Sequence, residues 1–316
     1  MNNDITVIIP TMNRPESLKE TIESYMQGEE LPAQIVVVDQ SQEETIQKKN
    51  REMLEAFGNQ VQMDYIYQKE PSSTKARNTG MKASKNELLV FSDDDITVKK
   101  STIKDIVQIM QDKSISMVAG INSKDKFGKM KKSAYIFGRH SYKKRNIGHI
   151  SKAVLGRFPQ YAIVGEVETE WAMGFFFIVR KSLVEKWNIA WDETLTSYAF
   201  GEDMDFSYSY YKKSIEEGLR CIFDEKIVVE HRVSMEWRQP TKKSTMMLVI
   251  NREYFSYKHR MGKSCRLMAR WSNFGVFLQR ALKRKGGAKD VLWAQHVCNK
   301  HRKELAAGII KPEWYQ

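Results

Sequence analysis

Cysteine is scarce in this chain. Cys221, Cys265 and Cys298 are odd in number, widely spaced and without a Cys-x-x-Cys pair, which excludes a disulfide framework and a cysteine zinc site. Seven prolines and 17 glycines among 316 residues exclude collagen-like and low-complexity architectures. No stretch reaches the ~18 consecutive apolar residues that a spanning helix requires. The opening MNNDITVIIP also lacks a basic n-region and a small-residue cleavage site, so the expectation is a cytoplasmic protein. What is present, 41% hydrophobic and 28% charged residues, is a soluble globular composition. The length suffices to bury a sizeable core, in one large domain or two small ones.

Positive charge is unevenly placed. The formal net charge is +12, yet residues 231–316 hold 19 Lys+Arg against 5 Asp+Glu, and residues 1–230 are slightly acidic. Within 254–285 aromatic and aliphatic residues alternate with Lys and Arg at near-helical spacing, the pattern of an interfacial amphipathic helix. Two readings stand: a helix packed on its own domain with a solvated basic face, or peripheral contact with the phosphate-rich inner face of the plasma membrane. Nucleic acid is not expected as a partner.

The apolar run Ile5 to Pro10, punctuated by Thr11 to Pro15, predicts a strand and loop, and Glu16 to Tyr25 continues with helical periodicity. Ile35 to Val38 is a second strand ending at Asp39, followed by a charged helix over Glu43 to Phe57 and a third strand over Met63 to Tyr67. Thr74 to Lys85 reads as helix, and the strand Glu87 to Phe91 stops at Ser92-Asp93-Asp94-Asp95. Continuous apolar strands alternating with helices imply a doubly wound, mostly parallel α/β sheet with helices on both faces. Ligands in such sheets sit beyond the carboxyl ends of the strands, where Thr11, Arg14, Asp39 and Asp93 to Asp95 fall. Residues 122–165 are basic, Gly-punctuated and aperiodic, and read as a mobile or hairpin segment near the site. Ala172 to Val179 predicts a strand, Lys181 to Trp187 and Asp205 to Glu217 predict helices, and Ile227 to Val229 predicts a strand closing at His231.

Two acidic clusters carry the chemistry. Three consecutive carboxylates at a strand end repel one another unless a cation lies among them, and such hard oxygen ligands suit Mg²⁺ or Mn²⁺ holding a diphosphate. Alternation along an extended segment points Asp93 and Asp95 to one side and Asp94 to the other. The bland alternative is a solvated acidic turn. Glu202, Asp203 and Asp205 fall in the first turn of a predicted helix, where they serve either as capping charges or, pointed into a cleft, as a base for a hydroxyl. His231 is either a satisfied edge histidine or a metal or phosphate ligand.

The ordered motifs Val7-Ile8-Ile9-Pro10-Thr11-x-Asn13-Arg14, Val36-Val37-Val38-Asp39-x-Ser41, Ala76-Arg77-Asn78-x-Gly80, Phe91-Ser92-Asp93-Asp94-Asp95, Gly174-Phe175 and Gly201-Glu202-Asp203-x-Asp205 resemble the family 2 inverting glycosyltransferases of GT-A fold. Members serving bacterial surface polysaccharides, capsule or exopolysaccharide, are the type it suggests. The resemblance implies a GT-A catalytic domain over 1–235, with a nucleotide-sugar half at 1–121 and an acceptor half at 122–235. A basic, mainly helical C-terminal region over 236–316 would follow. It implies donor contacts at Pro10, Thr11, Arg14, Asp39, Lys75, Arg77, Asp93 and Asp94, with the diphosphate metal, Mn²⁺ or Mg²⁺, on Asp95, Asp93 and His231. It makes Asp203 the general base, with Glu202 beside it orienting the acceptor or contacting the donor, and puts acceptor contacts at Trp171, Met173 and Gly174. A nucleotide-sugar donor, most simply a UDP-sugar, and a glycan acceptor are the implied partners; the basic-aromatic C-terminal region favours a polyprenyl-diphosphate-linked glycan at the cytoplasmic leaflet, and a homodimer is a further expectation. Gln40 stands where many relatives have a second acid.

Two readings from other classes compete. Asp93-x-Asp95-x-Thr97 loosely fits the signature of haloacid-dehalogenase-like phosphatases, with Asp93 as nucleophile, but three strand–helix units precede it. A non-enzymatic basic adaptor for membrane or nucleic acid leaves both acidic clusters unexplained.

Overall fold

The computed structural model describes residues 4–125, 127, 132–138, 146–196, 200–232, 241–283 and 287–316. Its first half alternates strand and helix: β1 (Ile5–Thr11), α1 (Pro15–Met26), β2 (Gln34–Asp39), α2 (Glu44–Glu55), β3 (Gln62–Tyr67), α3 (Ser73–Ala83) and β4 (Leu88–Ser92). β1, β2 and β4 are almost wholly buried, as unbroken Ile/Val/Leu runs require when helices cover both faces. β2 pairs with β1 and β3, and β1 with β4, all parallel. The register sets Thr11 opposite Asp39 at the carboxyl ends of these strands.

After β4 come β5 (Ile96–Thr97), α4 (Thr102–Ile109), β6 (Ile115–Asn122), α5 (Lys132–Ile136), β7 (His149–Ile150), β8 (Gly156–Arg157), β9 (Glu166–Glu168), β10 (Phe176–Arg180), α6 (Lys181–Lys186), α7 (Glu202–Glu216) and β11 (Arg220–His231). The main sheet runs β3-β2-β1-β4-β10-β6-β11-β5, with β9 on β11. β10 inserts antiparallel between β4 and β6. That reversal brings the loop before β10 to the end of the sheet where β4 delivers its aspartates.

Three boundaries depart from the sequence expectation. The strand expected over Ala172 to Val179 begins at Phe176, because Trp171 to Gly174 is held out of the ladder by bonds to α7 described below. β11 spans twelve residues, bulging between Phe223 and Val228, where Ile227 to Val229 alone was expected. Within 122–165 the described residues form α5 and the β7–β8 hairpin; residues 126, 128–131 and 139–145 lie outside the described set, as does Tyr198-Ala199.

The C-terminal region consists of α8 (Thr241–Lys258), α9 (Gly262–Leu282), α10 (Ala288–Lys300), α11 (Arg302–Ala306) and a 3₁₀ turn at Pro312–Tyr315. The stretch 254–285, expected as one amphipathic helix, is broken between α8 and α9, where Arg260 and Gly262 take positive φ of 54° and 82°. These helices share a core of Met246, Ile250, Val291, Ala294, Leu305 and Trp314. They also join the sheet-bearing part of the chain, with Phe255 and Ala269 packing against Ile150, Val154, Trp171 and Met204. No described helix is long and apolar enough to cross a membrane.

Candidate active site

β4 is buried to its last residue, so the chain emerges at Asp93 with no freedom to splay the triplet. Side chains then alternate. Asp94 turns inward, accepting hydrogen bonds from Thr11 Oγ1 at 2.7 Å and Arg14 Nη1 at 3.1 Å, while its carbonyl accepts from the Ser17 and Thr21 hydroxyls. Asp93 and Asp95 turn the other way. Asp95 meets His231 Nε2 at 3.1 Å, and His231 stacks on Phe175. Oxygen and nitrogen atoms of Asp93, Asp95 and His231 lie within 4.8 Å of one another.

Burial, with the Asp95 charge added, raises the Asp93 carboxyl above its usual range against the pull of Arg77. Burial also pushes Asp94 up to about 6, against Arg14 and Thr11. Burial opposes the charged form of His231, but the bond and charge of Asp95 outweigh it and hold the imidazole above its ordinary value. Two carboxylates and an imidazole crowded at this separation form a hard donor set that fits Mn²⁺ or Mg²⁺.

α7 delivers the second acidic cluster. Gly201, at φ +86°, supplies the left-handed residue that turns the chain into the helix. Both carboxylate oxygens of Asp203 accept backbone N–H groups, Oδ2 from Gly174 at 2.9 Å and Oδ1 from Met204 at 2.7 Å. Ser207 Oγ, on the next turn, donates to the Ala172 carbonyl and accepts the Ala172 N–H, which fixes the loop before β10 against α7. Burial raises the Asp203 carboxyl despite these bonds. Burial and the neighbouring Asp203 charge push Glu202 up to about 8, with Arg77 opposing.

Arg77 links the clusters. Its guanidinium lies 4.5 Å over the Trp191 ring, donates to Asp93 Oδ1 at 2.9 Å and Gly174 O at 3.3 Å, and reaches Glu202 Oε1 at 3.3 Å. Asp93, Asp95, His231, Glu202 and Asp203 all line one cleft of about 630 Å³, with Pro10, Thr11, Arg14, Trp171, Met173 and Gly174 on its walls.

Two expected donor residues are placed elsewhere. Asp39 is fully buried, its carboxylate taken by Ser41 N, Asn50 and Tyr65, and Gln40 lines the cleft instead. Lys75 pairs with Glu70 at the surface and is not among the cleft residues. Thr11 and Arg14 line the cleft, but their polar atoms bind Asp94. Sequence reasoning missed Trp191 beneath Arg77, Asn122 and Asp125 near His231, and the cleft wall formed by Leu248, Asn251 and Phe255 of α8. For α8 a signal existed: Met246 to Ile250 is apolar on every side, the mark of a helix buried all round. Asn251 Nδ2 donates to the Phe200 carbonyl and its Oδ1 accepts from Tyr315, so the end of the described chain supports this wall.

Residues 6–186, more than half of the chain, match the family model described as Glycosyl transferase family 2. No curated protein matches significantly. Among solved structures, GalNAc-T7 with UDP, GalNAc and Mn²⁺ is similar at a TM-score of 0.58 and 16% identity, over 86% of this chain and 54% of that one. The mannosyltransferase PcManGT from Pyrobaculum calidifontis, with GDP-Man and Mn²⁺, is similar at 0.56 and 13% identity, over 98% and 84%. S. aureus TarS is similar at 0.51 and 17% identity; the alignment covers 82% of this chain but only 42% of the TarS chain. At these identities the likeness is one of fold.

Proposed function

Because the chain belongs to glycosyl transferase family 2, and is a glycosyltransferase, we propose that it transfers a sugar with inversion from a UDP-sugar to a hydroxyl of a glycan or polyprenyl-diphosphate-linked acceptor in bacterial surface-polysaccharide synthesis, at a membrane that its basic C-terminal region contacts. The observation that carries this reading is the single cleft holding both the Asp93–Asp95–His231 cluster and the Asp203 carboxylate, bridged by Arg77. With that family match the phosphatase and adaptor alternatives lose their ground.

Asp93, Asp95 and His231 would hold Mn²⁺ or Mg²⁺, which supplies neutralising charge to the donor's diphosphate. The chain's own groups do the rest. Asp203 takes the proton of the acceptor hydroxyl as the new oxygen–carbon bond forms at the anomeric carbon. The bond from that carbon to the diphosphate breaks on the opposite face, and the nucleotide diphosphate leaves with the electron pair. Burial favours this role, because a carboxylate whose pKa is raised toward neutrality is a stronger base. Backbone N–H bonds from Gly174 and Met204 hold it in one orientation. Arg77 and Glu202 fix the distance between base and donor site. Trp171 and Met173, beside Gly174, offer the apolar wall on which an acceptor sugar packs.

Two variants test the assignment. Asp203→Asn is expected to cut turnover about 10²–10⁴-fold while the Mn²⁺-dependent thermal shift with UDP persists. Asp95→Asn is expected to abolish that shift, since a ligand bound only to the native state stabilises it by mass action. Near-wild-type transfer by Asp203→Asn would remove the base, and a GDP-specific shift would replace the nucleobase.

A further inference from the structure

α9 presents an apolar stripe to solvent. Leu267, Trp271, Phe274 and Leu282 follow one another at intervals that keep one helix face, with Leu278 between them. Leu267 is 66% and Leu282 83% exposed, and both aromatic rings are exposed as well. α5 extends the patch through Ile136, 60% exposed, and Phe137, whose ring packs against Trp271 and over Gly275. Leu292 and Trp293 of α10 are also open. Scattered exposed leucines are ordinary, but a register of large apolar groups along about four turns of one helix marks a surface that meets something apolar.

Charge selects the occupant. α9 contains no acidic residue; its Arg266, Arg270 and Arg280 turn to Tyr257, Glu253 and Thr245 of α8, and exposed Lys263 and Lys283 carry positive charge at the two ends of the stripe. A second copy docking by its own stripe would bring like charges together, whereas an anionic lipid surface meets them with opposite charge. We propose that α9 seats in the headgroup layer of an anionic membrane, with Leu267, Trp271, Phe274 and Leu282 inserted and Lys263 and Lys283 against lipid phosphates.

The opposite face of α9 faces α8. Arg252 of α8 donates to Asn273 Oδ1 and to the Ala269 carbonyl, and Arg270 pairs with Glu253. Leu248, Asn251 and Phe255 of that same α8 line the cleft. The stripe and this cleft wall are therefore carried by two helices in direct contact, whose axes lie about 8–10 Å apart when packed. The helix that would rest on lipid thus packs directly on a helix that lines the cleft, close to where a lipid-linked acceptor would bind. This deepens the proposed acceptor class and rests on it for its purpose, but lipid binding is read without nucleotide or acceptor, so its failure leaves the transfer reaction standing.

Co-sedimentation of the full chain with vesicles of phosphatidylcholine alone, or of phosphatidylcholine with phosphatidylglycerol, tests it. Binding is expected to the anionic vesicles only and to weaken as salt rises. Leu267→Ser/Leu282→Ser should lower the partition coefficient by about tenfold or more, with an unchanged melting temperature because both side chains stand in solvent. Lys263→Glu/Lys283→Glu should lower it as well. Equal recovery with both vesicle types, or full binding by the leucine variant, would overturn the proposal. So would a dimer in light scattering that the leucine variant dissociates, which would make a second copy the occupant.

Discussion

Arg77 stands between two carboxylate clusters with almost no water around it, its side chain 5% exposed. Beside it Gly174 leaves only tight space for a methyl group: a Cβ there would lie 3.0 Å from the Asp203 Cβ and 3.4 Å from the Arg77 guanidinium, so the Asp203 side chain would have to shift. Gly174→Ala is therefore expected to displace Asp203, the proposed base, and lower turnover by at least tenfold with little change in melting temperature, as steady-state kinetics and a thermal melt on one preparation would show. Glu202 gives a pH signature. Its folded value of about 8 exceeds that of an unfolded glutamate, so the native state holds the extra proton and stability declines as pH rises through that interval. In metal-free protein, Glu202→Gln is expected to flatten the decline in melting temperature between about pH 6 and pH 8; an unchanged slope would show that the group is ionised throughout. The orientation of Asp93 and Asp95 was legible from alternation alone. The fate of Asp39 was not, because Asn50 and Tyr65, which take up its carboxylate, come from elements whose approach depends on how α2 and β3 pack on β2.

At the scale of elements, α7 and α8 are joined through Asp205, the last acid of the Gly-Glu-Asp-x-Asp motif. It is buried, accepting from Lys258 at 2.6 Å and meeting His259 Nε2 at 2.8 Å, while Lys258 and Tyr254 also reach Asp192. Read from sequence, Asp205 belongs with the helix-capping acids. In the fold it ties α7 to the C-terminal region, a role invisible without knowing where Lys258 and His259 lie. Asp205→Ala is expected to cost about 3 kcal/mol, because Lys258 and His259 lose a buried anionic partner. Chemical denaturation measures the loss, and amide exchange should rise first in α8. The parallel strands were plain from their apolar runs, which need no partner to be recognised. The late start of β10 was hidden, since only Ser207 and Asp203, about thirty residues on, hold Ala172 and Gly174 out of the ladder.

For the whole molecule, the boundary expected near residue 235 separates stretches that share a cleft and a hydrophobic cluster. A chain ending at residue 235 would leave Trp171, Val154 and Met204 without Phe255 and Ala269. It is expected to melt at a clearly lower temperature, by differential scanning calorimetry, and to lose acceptor use before donor binding, because Asp93, Asp95 and Arg77 stay within the retained part. The uneven charge of the sequence foretold where this region differs in surface but not that its interior forms part of the catalytic body. Charge reports on what faces water, whereas helix seating is decided by contacts spread over a hundred residues of chain.

The hydroxyl of Tyr315 grips Asn251, and Asn251 in turn grips the carbonyl of Phe200 at the cleft rim. Proteolytic trimming of the final few residues would thus loosen a strut two hydrogen bonds away from the cleft, letting damage at the tail masquerade as a defect in catalysis.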